Sequence, residues 1–454
     1  MRRLLRWFDD RLAASRFAST ALNRVFPDHW SFLIGEIAAY ALIVLILTGT
    51  YLTFFFTPSA EEVVYSGSYA PLQGVEMSAA YASALDISFD VRAGLVMRQM
   101  HHWAALVFVA AIVVHMMRVF FTGAFKNPRE LNWVIGVTLL VLAIGNGFFG
   151  YSLVDDLLSG TGVRVAYATA MSIPVVGPDL ASGLFGGEFP GEFLPRFYVL
   201  HILVLPAIIV GLLSVHLALV WRQKHTEFDG PGKREDVITG ERLWPTYAAK
   251  SGALLLLTAA VLAGLGGLAQ INPIWVYGPF RSGEAVAAVT SASQPDWYMG
   301  WLDGTLRIFP PIEPVLFGYR IPNPFFGGVL LPGITFTGVY LWPWIEARFT
   351  GDRAAHNLLD RPRDHPVRTA IGVSVFTFYA VLFAAGSNDV LAGVFEVGAE
   401  RLVWTFRILV VVLPVAAFFV TRTVCHDLQG VRGRVGTKGH RLVRTADGRY
   451  ESRH

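Results

Sequence analysis

Two stretches decide how this 454-residue chain folds, RQMHHWAALVFVAAIVVHMMR at 98–118 and RFYVLHILVLPAIIVGLLSVH at 196–216. Each is an apolar run with two histidines about four helical turns apart, His101 with His115 and His201 with His216. A step of 14 residues turns an α-helix by roughly 1400°, about 40° short of four turns, and climbs about 21 Å. The first two imidazoles therefore share a face at different depths. The second step, 15 residues, overshoots four turns by roughly 60° and climbs about 22 Å, so its shared face is broader. Two such helices side by side can clamp two flat metallocycles one above the other, and haem iron with axial histidines suits them. A lone histidine in an apolar helix is usually a hydrogen-bonded core residue. Four in matched pairs at membrane depth read as functional. His102 lies about 140° from the face of His115 and reads as structural.

Composition agrees with spans of this kind. Hydrophobic residues make up 54% of the chain and charged residues 16%, against about 25% charged in a soluble domain, and the mean hydropathy is +0.48. This is the composition of a polytopic membrane protein. A net charge of +3 leaves no electrostatic footprint for nucleic acid. The one cysteine, Cys425, excludes an internal disulfide framework, a four-cysteine iron–sulfur site and a Cys-x-x-Cys-His haem attachment. Any cofactor is left to histidine, carboxylates and shape. The first 29 residues begin basic and amphipathic (MRRLLRWFDDRLAASRF) and read as a surface helix, not a cleaved leader.

Outward from the two histidine helices, apolar runs long enough for a hydrocarbon core of about 30 Å occur near 32–56, 95–121, 133–153, 197–222, 251–270, 325–346, 369–386 and 402–422. Eight spans place both termini on one side. Connecting segments on that side carry 27 Lys and Arg, and those on the other carry 6, so the positive-inside rule makes both termini cytoplasmic. The opposite segments, 57–92, 154–196 and 271–324, are long and rich in Pro, Gly and aromatics. They read as a functional surface or as a plain extracytoplasmic cap. The polar stretch 223–249 separates a half with all four paired histidines from a half with none.

The neighbouring spans repeat the histidine step. Gly35 and Gly49 in the first, and Gly136 and Gly150 in the third, are each 14 residues apart. A missing Cβ gives room to a ring edge or to another helix, and the spacing leaves both readings open. Arg98, Arg118 and Arg196 stand near the histidines, where they can pair with haem propionates or anchor helix ends by snorkelling.

Together these features resemble cytochrome b of the respiratory cytochrome bc complexes. The two histidine stretches, both glycine pairs and QPDWY at 294–298 carry the resemblance. It implies an all-α polytopic membrane protein of eight transmembrane helices, whose N-terminal four-helix bundle holds two haems b without covalent attachment. His101 and His201 would ligate the iron of an outer, low-potential haem. His115 and His216 would ligate that of an inner, high-potential haem. Arg98, Arg118 and Arg196 would meet propionates, and the four glycines would make room for the rings. The implied organisation is an amphipathic cytoplasmic N-terminus (1–29), the di-haem half (30–225), a cytoplasmic linker (226–250), a C-terminal four-helix half with the outer quinol-site loop (251–424) and a flexible cytoplasmic tail (425–454).

The resemblance implies a quinol–cytochrome c reductase, active within a multisubunit complex. Quinol oxidised at the outer face would split its electrons between a Rieske-type iron–sulfur partner and haem b, and quinone would be reduced at the inner face, coupled to proton translocation. Pro295, Asp296, Trp297 and Tyr298 match the family's Pro-Glu-Trp-Tyr motif, with aspartate for glutamate. Asp296 would accept a quinol proton beside Tyr298, with Asp303 close enough to share the task, although a loop carboxylate also commonly caps a helix. Val154 departs from the family's proline at the pocket rim. At the inner face Trp221 replaces a familial histidine, which leaves His225 as the nearest substitute, and Lys250 or Ser251 near a familial aspartate. The 15-residue histidine step and the Pro-Asp-Trp-Tyr form are similar to the actinobacterial branch, which implies menaquinone, a bacterial plasma membrane, a cytochrome c subunit, a homodimer and a terminal oxidase in a supercomplex. Two other readings are a di-haem anchor that relays electrons between quinone and a peripheral dehydrogenase, and a transporter with a histidine proton relay.

Overall fold

The computed structural model describes residues 7, 9–11, 13–280, 294–437, 441–444 and 450–453. Eight helices are long and apolar enough to cross a membrane: α1 Trp30–Thr53, α2 Gly94–Phe121, α3 Glu130–Ser152, α4 Phe193–Gln223, α5 Leu243–Leu268, α6 Phe326–Thr350, α7 Pro366–Gly386 and α8 Ala399–Gly430. Helices dominate because hydrocarbon offers no partner for a backbone N–H or C=O, and a helix bonds both internally. The chain is a multi-pass membrane protein.

Two ends differ from the sequence expectation. Helix α5 starts at Leu243, inside the segment expected as a linker to 250, through a wide turn at Pro245 that carries Trp244 and Tyr247. A search for unbroken apolarity stops at such interfacial aromatics. Helix α8 continues as far as Thr437, past the start of the expected tail. Of that tail Arg441–Arg444 and Tyr450–Arg453 pair as antiparallel strands, and 438–440, 445–449 and 454 lie outside the described residues, as do 1–6, 8 and 12 of the N-terminal segment.

The first four spans close around a core of small and branched residues that includes Ala41, Leu42, Ala104, Val109, Leu140, Ala143 and Ile209. Opposite faces stay apolar and uncovered, with Leu47 at 66% and Leu256 at 71% exposure, as a span facing lipid requires. Helix α5 lies against α1 and α2, and Gly266 allows it to seat on Met100, whose Cα would be 2.9 Å from a Cβ there. Short strands tie the connecting segments together at the end of the bundle where α1 begins. Val25–Phe26 pairs with Glu241–Arg242, and Glu227–Phe228 runs parallel to Leu358–Leu359.

At the opposite end the long segments are folded. Residues 57–92 hold a two-stranded ribbon (Glu62–Val64 with Glu76–Ser78) and the helix Ala79–Phe89. Residues 154–196 hold the helices Leu157–Met171 and Gly177–Phe185. In 271–324 the helix Trp297–Ile308 packs on α7, and the absent side chain of Gly304 lets the Leu382 carbonyl approach it.

Helix α4 is not uniform. Leu200–Val204, which contains His201, is a single π-turn, and Pro206 follows it. Proline cannot donate to the carbonyl four residues back, and the wide turn absorbs that loss. A π-turn holds one residue more than an α-turn. The 15-residue step from His201 to His216 therefore acts as 14, and the roughly 60° overshoot of a regular helix becomes the same 40° shortfall as on α2.

Candidate functional site

The four histidines meet in two pairs, one partner from α2 and one from α4. The ring centroids of His101 and His201 are 6.1 Å apart with planes at 82°, and those of His115 and His216 are 6.5 Å apart at 72°. A metal–imidazole bond is about 2 Å, and each ring centre sits about 1 Å behind its nitrogen, so two imidazoles on opposite sides of one ion have centroids about 6 Å apart. Both pairs fit that span. Among the described residues no group of three or more His, Cys, Asp or Glu converges as on a bare ion. Two axial ligands suit a metal that brings its own four equatorial nitrogens.

Each expected glycine faces one of these imidazoles. A Cβ on Gly49 would come 3.0 Å from His101 Cε1, one on Gly35 3.2 Å from His115 Cε1, and one on Gly136 3.8 Å from His216 Cε1, while one on Gly150 would overlap His201. The glycines of α1 thus serve the histidines of α2, and those of α3 serve α4. Ring orientation is fixed from behind at one layer. His101 Nδ1 lies 2.9 Å from Thr48 Oγ1 and His201 Nδ1 lies 2.9 Å from the Asn146 carbonyl, partners of the kind that aim a ligating histidine.

The arginines divide. Arg98 donates through Nε to Ser88 Oγ and through Nη1 to the Asn272 carbonyl, and its Nη2 is buried without a partner. Arg118 lies 4.2 Å over the Phe32 ring, with Nε and Nη2 buried and unpartnered. Buried unsatisfied guanidinium nitrogens are rare without an anion to receive them, and these two flank the two histidine layers. Arg196 is not brought to either layer. It is exposed and donates to the carbonyls of Ser182 and Gly183 at the end of the helix Gly177–Phe185.

Asp296 sits at the N-cap position of the helix Trp297–Ile308, yet its side chain makes no capping bond. It turns toward α2 instead. Its Oδ1 is 2.7 Å from His102 Nε2, and its Oδ2 accepts from the Tyr298 hydroxyl at 3.0 Å. Tyr298 is buried, and its ring fills the notch left by Gly147, whose Cβ would stand 2.5 Å from the Tyr298 oxygen. Burial, then the neighbouring Asp296 charge, raises that phenol well above its ordinary range. Pro295 is half-buried and enforces the extended approach to the helix, and Trp297 packs against the bundle core. A cavity of about 300 Å³ joins Asp296, Tyr298, His102 and Arg98 to His101, His201, Gly49 and Gly150, with Val154 on its wall.

His102 was the residue the sequence undervalued. Its turn away from the ligand face points it at another element, and a polar side chain at such depth needs a partner. Asp303 lies elsewhere, in a network with Arg307 at 2.7 Å that continues to Asp389 at 2.9 Å, and burial pushes its carboxyl up to about 6. Asp155 and Asp156 are buried as well. Burial pushes them up to about 7 and about 6, while their backbones tie residues 155–157 to Gly278 and Phe280.

At the other end His225 borders a cavity of about 620 Å³ with Arg24, Trp221, Arg222 and Lys224, and its ring centroid is 4.7 Å from that of Phe26. Burial, then the guanidinium groups of Arg24, Arg129 and Arg118, pushes it down to about 4. Lys250 does not join it. Its Nζ pairs with Asp28 at 2.7 Å on an exposed edge.

Residues 106–279 match the family model described as Cytochrome b(N-terminal)/b6/petB. The chain is 53% identical to the cytochrome bc1 complex cytochrome b subunit of Mycobacterium tuberculosis, over 93% of this chain and 76% of the relative. It is 50% identical to that of Corynebacterium efficiens, over 93% and 77%, and 49% identical to that of Streptomyces coelicolor, over 94% and 78%. Among solved structures, a chain of a hyperthermophilic respiratory Complex III superimposes with a TM-score of 0.65 at 19% identity, covering 93% of this chain and 99% of that one, which is a likeness of fold. Identity at this level over nearly the whole chain, together with the paired histidines on α2 and α4, places the chain in the family of cytochrome b subunits of the cytochrome bc1 complex.

Proposed function

We propose that the chain is a di-haem quinol-oxidising subunit: menaquinol bound beside Asp296 gives one electron to a Rieske-type iron–sulfur partner and one to the haem held by His101 and His201, and quinone is reduced near the haem held by His115 and His216. Bound in the two histidine layers, haem supplies one-electron carriers on a line across the bundle. Arg98 and Arg118 offer their unpartnered nitrogens to propionates. The 27 to 6 division of Lys and Arg supports cytoplasmic termini and a bacterial plasma membrane protein. In that orientation the Asp296 end is the outer face. Residues 30–225 form the haem-bearing half, 251–424 the half that brings in Asp296, and the cytochrome c subunit, the homodimer and a terminal oxidase are the partners this reading implies.

The observation that carries the reading is that Asp296, held by His102 and Tyr298, opens onto the same cavity as His101 and His201. A quinol gives up electrons readily only as its protons leave, so a carboxylate facing the ring and the electron acceptor in one cavity is what oxidation needs. Asp296 receives the proton, Tyr298 and His102 hold the carboxylate in place, and release to the outer water completes translocation. The test is Asp296→Asn in the assembled complex. Quinol-driven reduction of the b-type bands slows about 100-fold, the scale of a lost general base, with both bands still present on chemical reduction. Unchanged quinol oxidation at every pH overturns the reading.

A further inference from the structure

A second carboxylate sits at membrane depth at the opposite end, unused by anything above. Glu36 lies in the first turn of the α-helical part of α1, Ile34–Thr53, one residue after Gly35, the glycine that faces His115. It is half-buried, and its oxygens collect hydroxyls from two helices. Oε2 accepts from Tyr40 at 3.0 Å and from Ser251 at 2.7 Å, and Oε1 accepts from Tyr247. Tyr40 and Ser251 also lie within hydrogen-bond reach of each other, so one of these two hydroxyls donates either to its neighbour or to Glu36. Among the described residues no cation pairs with Glu36. The charges around it are turned elsewhere: on α5 Lys250 holds Asp28 at an exposed edge, on α2 Arg118 covers Phe32, and Arg24 lies over Trp221. His225 is on the far side of Phe26, whose ring stacks on Tyr247 at 4.6 Å.

A carboxyl group linked to three hydroxyls sits on a chain of hydrogen bonds along which a proton can pass. Glu36 directly follows Gly35, which faces His115, so it stands at the end of the bundle where the proposed inner carrier is held. We propose that Glu36, not His225 or Lys250, is the catalytic acid for quinone reduction at the inner face, with Tyr247 and Ser251 positioning it. The proposal rests on the quinone-reducing reading above. In the step, a quinone carbonyl oxygen gains a proton as the ring takes up electrons from the inner haem. The Glu36 O–H bond breaks, the quinol O–H bond forms, and the carboxylate is reprotonated from the cytoplasmic water beside the exposed Asp28–Lys250 pair. The ring takes two electrons and two protons in all, and Glu36 delivers the protons one at a time.

The experiment uses the assembled complex with its outer site blocked by a quinol-site inhibitor and the b-type haems pre-reduced. 2,3-Dimethyl-1,4-naphthoquinone is added, haem re-oxidation is followed from pH 6 to 8, and its binding to the oxidised complex is measured by equilibrium dialysis. Glu36→Gln keeps the naphthoquinone Kd within about threefold, because an amide still donates a hydrogen bond, and lowers the re-oxidation rate about 100-fold. Glu36→Asp recovers part of the rate, and Tyr247→Phe lowers it less than Glu36→Gln. A Glu36→Gln rate equal to wild type overturns the proposal, as does a loss of binding that accounts for the whole loss of rate. If the wild-type complex binds the naphthoquinone but its haems are not re-oxidised, the inner-site reading itself fails, independently of Glu36.

Discussion

His102 Nε2 stands 2.7 Å from Asp296 Oδ1, one residue along α2 from His101, whose ring faces His201. Neighbours on a helix diverge by about 100°, so this His-His pair aims one imidazole at His201 and the next at the carboxylate. Replacing His102 by Leu strands Asp296 in a partly buried cavity, a loss of about 1–3 kcal/mol. Quinol-driven haem reduction is expected to slow about tenfold or more, while both b-type bands keep their positions because His101 is untouched. A normal rate in His102→Leu removes the residue from the outer site.

The glycine–histidine pairs predict layer-selective damage. Gly150→Val puts a branched side chain onto His201, and Gly136→Val does the same to His216 from a looser 3.8 Å start. The first variant loses the outer haem and keeps the inner one. The second weakens only the inner. Haem content per chain and redox titration of the two b-type transitions separate the outcomes, and equal loss of both haems in either variant contradicts the pairing.

Arg98 and Arg118 have buried nitrogens without partners and Arg196 does not. Neutralising Arg98 to Gln lowers the potential of the outer haem, and Arg118→Gln lowers that of the inner, each by about 60 mV if roughly 1.4 kcal/mol of charge stabilisation is lost in a one-electron couple. Arg196→Gln leaves both potentials where they are. A shift from Arg196 alone would reverse this assignment.

Acid sensitivity follows from His225. Its imidazole is held neutral, down to about 4, against about 6.5 in an unfolded chain. The unfolded state binds the extra proton between these values, so the stability His225 contributes is fully present above about pH 6.5 and falls as pH drops toward 4, on the order of 1 kcal/mol per unit. His225→Gln flattens that fall. Melting of the detergent-solubilised complex at pH 7.5 and 5.5 shows it as a smaller acid-induced drop in Tm than in wild type.

Much of this was legible because membrane spans obey few rules. Unbroken apolarity located all eight helices, and histidine steps of 14 and 15 residues put two imidazoles on one face of α2 and two on one face of α4, where they meet in pairs. What stayed hidden depended on contacts far apart in sequence. Asp296 reaches His102 across 194 residues, and Ser251 reaches Glu36 across 215, distances that no local pattern encodes. Arg196 misled because proximity to a ligand in sequence is not proximity in space when the helix Gly177–Phe185 offers carbonyls to cap. The start of α5 was missed for the opposite reason, since Trp244 and Pro245 look like loop but belong to the interfacial end of a span.

The π-turn at Leu200–Val204 acts as a phase corrector. Two rungs on one rigid rod must stay in angular step, and a single inserted residue puts one of them about 100° out. Confining the error to the turn that carries His201 leaves the rod between the rungs regular. The same arithmetic fixes where the chain tolerates a lost residue. A deletion within 202–205 straightens α4 and keeps both haems, whereas a deletion within 207–215 swings His201 away from His101 and costs the complex its outer haem. Register in this helix is thus kept by the position of one irregularity, and its length is free to vary there and nowhere else between the two ligands.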